Sequence, residues 1–144
     1  MQRQLHDMRH ATLPELGLAN GRRADLVTLS EKGEIWIIEI KSSIEDFRVD
    51  RKWPDYRAFC DRLFFATLRD VPAEIFPEQC GLFLADSYGA EMIREAPEHR
   101  LTPAVRKSMT LGFSRIAAAR LMHAEWAADR LDIANPNRPE NDTL

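Results

Sequence analysis

Asp25, Glu39 and Lys41 stand in the pattern D-x13-E-x-K. Two carboxylates and an amine are the side chains that metal-assisted hydrolysis of a phosphodiester requires. Carboxylate oxygens are hard donors suited to Mg²⁺ or Mn²⁺, and such an ion polarises a phosphate and activates water. A neighbouring lysine orients that water and stabilises developing charge. The carbonyl of Ile40, between Glu39 and Lys41, is a further candidate ligand. The same three residues could equally form a structural ion network at the edge of a sheet.

Local structure must bring the three together. Ala24–Leu29 and Glu34–Lys41 read as strands, and Ser30-Glu31-Lys32-Gly33 between them is a short loop whose glycine suits positive φ. Strand side chains alternate with period two, so Glu39 and Lys41 share a face. In an antiparallel hairpin, the start of the first strand lies beside the end of the second, which places Asp25 near Glu39 and Lys41. Trp36, Ile38 and Ile40 fall on one face of the second strand, and Ile35 and Ile37 on the other. A strand apolar on both faces is covered on both and sits centrally in a layered α/β domain.

Around this hairpin the chain predicts a short incomplete helix in Met1–His10 and a strand at Leu13–Leu18. A polar connection over Ser42–Asp50 leads to a helix from about Pro54 to Cys60. Strands follow at Leu63–Thr67, Gly81–Ala85 and Ala90–Arg94, the last two forming a hairpin. Thr102 as N-cap and Pro103 at the first helical position open a long C-terminal helix. Val105, Met109, Phe113, Ala117, Leu121, Ala124, Ala128 and Leu131 form its apolar stripe. Ala118, Met122 and Trp126 form a second stripe, assigned either to the core or to a homodimer or protein partner.

Lys52 and Tyr56, four apart on the helix expected there, face one way. They read as a phosphate or leaving-group contact and its orienting hydroxyl, or as a solvated lysine beside a packed tyrosine. Trp53 is either a core anchor or a stacking platform for an unpaired base. Ser42 is a candidate phosphate contact. Arg22, Arg23, Arg48 and Arg51 are candidate DNA contacts, while Asp46, Asp50 and Asp61 read as caps and ion-pair partners. Residues 22–62 hold nine basic and nine acidic side chains, so a DNA-binding face must come from spatial sorting. His6 and His10, four apart, suit a metal or merely the exposed start of a helix.

The order αβββαβ with this trio on its second and third strands resembles the PD-(D/E)XK nuclease superfamily. The segments LPELGLANGRRADLVTL, IIEIKSSIEDFRVDRKWPDYRAFCDRLFFA and GLFLADSYGAEMIREAPEHRL, spanning about Leu13 to Ala128, are similar to the MmcB-type family of bacterial DNA repair proteins. The resemblance implies a restriction-endonuclease-like α/β fold: a central mixed sheet flanked by helices. It also implies a divalent metal (Mg²⁺ or Mn²⁺) and DNA that is damaged, gapped or single-stranded. By position, Asp25 and Glu39 match the superfamily's metal ligands and Lys41 its catalytic lysine. Glu15 matches an acidic residue that some branches add as a further ligand. Arg23-Ala24 stand where the superfamily's proline would be, and the first core helix is short. The reading is a DNA repair protein that hydrolyses DNA phosphodiesters, the alternative being a non-catalytic DNA-binding or scaffolding module that keeps the fold.

The chain has 144 residues, 44% apolar and 30% charged, with net charge −3. That describes one globular domain, expected over 1–134 with a disordered tail at 135–144, and excludes a strongly basic protein. Two cysteines without a CxxC pair exclude a zinc ribbon or thioredoxin-like motif. Met1–His10 has no apolar leader segment, and no run approaches the ~20 residues of a membrane helix. The pattern predicts a cytoplasmic chain.

Overall fold

The structure, a computed structural model, describes residues 1–49 and 52–133. Among them, six strands form one mixed sheet: β1 (His10–Gly17), β2 (Arg23–Ser30), β3 (Ile35–Lys41), β4 (Arg62–Leu68), β5 (Gly81–Ala85) and β6 (Ala90–Arg94). They lie side by side in chain order. The β1–β2, β2–β3 and β5–β6 pairs are antiparallel, whereas β3–β4 and β4–β5 are parallel. Three helices flank the sheet: α1 (Gln2–Asp7), α2 (Ile44–Val49) and α3 (Pro103–Ile133).

The β2–β3 hairpin forms for local reasons. Gly33 has φ +80°, a conformation that costs glycine little and other residues more. The Gly33 N–H donates to the Ser30 carbonyl at 2.9 Å, and the Glu34 N–H to Ser30 Oγ at 3.0 Å. Pairing then runs from Leu29↔Ile35 to Leu26↔Ile38.

The strand alternation sorts two apolar layers. Ile35, Ile37, Leu63 and Phe65 face α2, α3 and the 3₁₀-helix Trp53–Phe59. Trp36, Ile38, Phe64 and Phe83 face Leu5 of α1. β3 is thus covered on both sides, as its two apolar faces require. The exception is Ile40, half exposed at the strand end.

Several expectations are corrected. Ser42–Asp50 is not wholly a connection: Ile44–Val49 is helical, with the Asp46 N–H donating to Ser43 Oγ at 3.1 Å. The Trp53–Phe59 segment is a 3₁₀-helix. Lys52 caps this helix and Tyr56 lies within it, and both line one cleft. α3 begins as expected, with the Val105 N–H donating to Thr102 Oγ1 at 3.4 Å. Among the described side chains its stripe is buried only at Met109 and Phe113, flanked by partly buried Val105 and Ala117, and Leu121 is 62% exposed. Beyond Arg120 every described side chain of α3 is exposed. His6 is exposed, while His10 is buried, lies 2.8 Å from Thr28 Oγ1 and meets Trp36 in a tilted ring pair at 4.1 Å; the two histidines border one open cleft, but among the described residues no cluster of three His, Cys, Asp or Glu could hold a metal there. Arg51, Asp50 and the 135–144 tail lie outside the described residues.

Asp61 locks the sheet to α3. Its carboxylate, 1% exposed, accepts bonds from the Ile35 N–H (2.8 Å), the Leu101 N–H (2.9 Å) and the Arg106 guanidinium (2.6 and 2.8 Å). A buried charge needs such complete pairing. Burial pushes this carboxyl up, but Arg106 and the two backbone donors outweigh it, leaving it below the usual carboxylate range.

Candidate functional site

The β2–β3 ladder stops at Leu26↔Ile38, and beyond it side chains replace backbone pairing. The Asp25 N–H donates to Glu39 Oε1 at 3.2 Å, and the Ile40 N–H donates to Asp25 Oδ2 at 2.8 Å. The two carboxylates are therefore laced across the strand ends at the point where the hairpin opens.

There the strands border a cleft of ≈ 420 Å³ lined by Gly21, Arg22, Arg23, Asp25, Glu39, Lys41, Asp46, Lys52 and Tyr56. Glu39 is 2% exposed and Lys41 6%. Both continue the face of Ile35 and Ile37, because period two along β3 forces them to. The Lys41 carbonyl is held by Thr67 Oγ1 of β4 at 2.8 Å. The buried Tyr56 hydroxyl donates to the Arg23 carbonyl at 3.3 Å, so the 3₁₀-helix braces the strand that carries Asp25. Lys52, exposed at the start of that helix, stands at the rim.

Four basic side chains face three acidic ones in this cleft, against a whole-chain excess of acid. The lining thus carries one more basic than acidic side chain. The two arginines are already engaged, however. Arg22 pairs with Asp55 at 2.8 Å, and Arg23 with Glu15 at 2.9 Å.

Other candidates fall elsewhere. Glu15 is absent from the cleft lining; φ +56° and the Arg23 pair characterise it instead. Trp53 is half-buried and meets Phe65 edge-on at 6.3 Å, which makes it a core anchor. Ser42 gives its N–H to Asp46 Oδ2 at 3.1 Å and does not line the cleft, and Arg48 is exposed on α2. Asp46, read from sequence as a cap or ion-pair partner, lines the cleft as well. The signal that could have found it is the helix at Ile44–Val49, whose first turn turns this residue back toward β3.

Among the described residues no cluster of three or more His, Cys, Asp or Glu could hold a metal. The donor set is two carboxylates, Asp25 and Glu39, with the Ile40 carbonyl adjacent. That is too few for a closed zinc or calcium cage. It fits Mg²⁺ or Mn²⁺, which keep several waters and take substrate phosphate oxygens.

The sequence profile of the "DNA repair protein MmcB-like" family matches residues 1–128. The chain belongs to the MmcB-like family. The match spans every element that lines the cleft. Among solved structures, the "SPO1766 protein of unknown function from Silicibacter pomeroyi" is similar, with 44% identity and a TM-score of 0.82, over 85% of this chain and 84% of that one. No curated protein matches the chain. The MmcB-like family name carries a DNA repair role, and no helix among the described residues is long and apolar enough to cross a membrane.

Proposed function

We propose that the cleft hydrolyses DNA phosphodiesters with Mg²⁺ or Mn²⁺, in the manner of the PD-(D/E)XK nucleases. The observation that carries this reading is the burial of Glu39 and Lys41 beside Asp25 at the open end of the hairpin. Burying an acid and an amine is expensive and seldom the best route to stability, and their placement at a solvent cleft supports a functional role.

Asp25 and Glu39, with the Ile40 carbonyl, would hold the ion. A bound divalent ion supplies Lewis-acid polarisation of the phosphate and a nucleophile at neutral pH. Lys41 donates hydrogen bonds to a non-bridging phosphate oxygen and offsets the charge that grows there. Lys52 at the rim contacts a flanking phosphate. Tyr56 is a positioning residue: through the Arg23 carbonyl it holds β2, and with it Asp25, in place.

A second reading, a DNA-binding module without hydrolysis, is favoured by the small donor set. A nicking assay on single-stranded, duplex and gapped DNA, with each metal, separates the two. Hydrolysis by the wild type that is lost in Lys41→Ala supports the enzyme. Equal inertness of both proteins on all substrates, with DNA binding intact, establishes the module.

A further inference from the structure

The second half of α3 leaves the domain, and the face it turns outward is complementary to itself. At roughly 100° per residue, Leu111, Arg115, Ala118, Met122, Trp126 and Asp129 cluster on one side of the helix. Met109 and Phe113, which pack on the sheet layer, lie on the opposite side. All six outward residues are exposed, with Trp126 at 50% and Leu111 at 53%. A projecting helix gains little from propensity alone and is ordinarily stabilised through an apolar face.

The pattern on this face names its partner. Ala118 and Trp126 lie four positions either side of Met122, and Arg115 and Asp129 lie seven either side. Two copies laid antiparallel about a two-fold axis at Met122 would set the small Ala118 against the large Trp126 twice. Arg115 would face Asp129 twice, and Met122 would meet itself. A two-fold contact requires this kind of self-complementarity, and flexible methionine adapts to its own image. Because the face points away from the domain, the second helix can lie along it without displacing the sheet.

We infer that α3 forms an antiparallel, two-fold interface with a second copy of this chain, centred on Met122. This does not depend on how the cleft is read. Sedimentation velocity on the full chain over micromolar concentrations should show a monomer–dimer equilibrium. Arg115→Asp and Asp129→Arg should each weaken association several-fold, since each sets like charges opposite one another twice. The double reversal should recover it. As a second readout, Met122→Cys with oxidised glutathione should give a disulfide-linked dimer several-fold faster than Leu121→Cys: two thiols are oxidised and glutathione is reduced. A wild type that stays monomeric, a double reversal no tighter than the singles, or equal cross-linking at 121 and 122 would overturn the inference.

Discussion

The Asp25 backbone N–H is bonded to the Glu39 carboxylate at 3.2 Å, while the Asp25 carboxylate is bonded one residue further on, to the Ile40 N–H at 2.8 Å. Two acids thus end the β2–β3 ladder by substituting for it. Their charges are held by backbone groups at the mouth of a cleft that Lys41 and Lys52 also line.

Glu39→Gln keeps an acceptor for the Asp25 N–H but removes the charge. DNA hydrolysis should fall by about 10²-fold or more, while the near-isosteric amide keeps the packing and the melting transition stays cooperative. Kinetics and a melting curve on the same preparation check both halves. A large loss of thermal stability would make Glu39 a structural residue.

Asp61→Ala strands the Arg106 guanidinium and two backbone donors, and should cost about 3–5 kcal/mol in urea unfolding. The ion pair also sets a pH dependence. The folded Asp61 carboxyl lies below its ordinary value, so the unfolded chain binds its proton more readily. The stability it contributes is complete above about pH 4 and drains away as pH falls through the lower folded value. Unfolding midpoints across that window should fall more steeply in the wild type than in Asp61→Asn.

Cys60 and Cys80 are both fully buried, and burial pushes their thiols up to about 12 and about 11. The thiolate is the reactive species. Ellman's reagent at pH 8 should therefore find essentially no free thiol in the native protein, and both in denaturant. Rapid native labelling of either would show that the core opens there.

At Gly81 an added Cβ would run into the Phe64 ring and come within 2.9 Å of the Ala96 backbone nitrogen. Phe64 cannot retreat, since it is wedged between Trp36 at 4.8 Å and Phe83 at 5.1 Å. Gly81→Ala should lower stability by about 1–3 kcal/mol, measured as a drop of several degrees in Tm.

How much of this was legible in the amino-acid sequence follows from the range of the forces involved. The β2–β3 hairpin, the meeting of Asp25 with Glu39 and Lys41, and the Thr102 cap of α3 depend on period-two alternation, one glycine turn and one side-chain oxygen. All are local effects, so they can be read directly from the order of residues. It also carried the family, because the strings around EIKSS and DFR are contiguous. Which charges became partners was settled by long-range packing. Arg22 finds Asp55 33 positions away, Arg23 turns to Glu15, and Arg106 reaches Asp61 across 45. Those choices depend on which surfaces the sheet brings together, as do the turning of Trp53 into the core and of Asp46 into the cleft. The stripe on α3 was visible as periodicity, but helical period says only that residues share a face. Whether that face meets a core or the solvent depends on where the sheet ends, and it ends before Leu121.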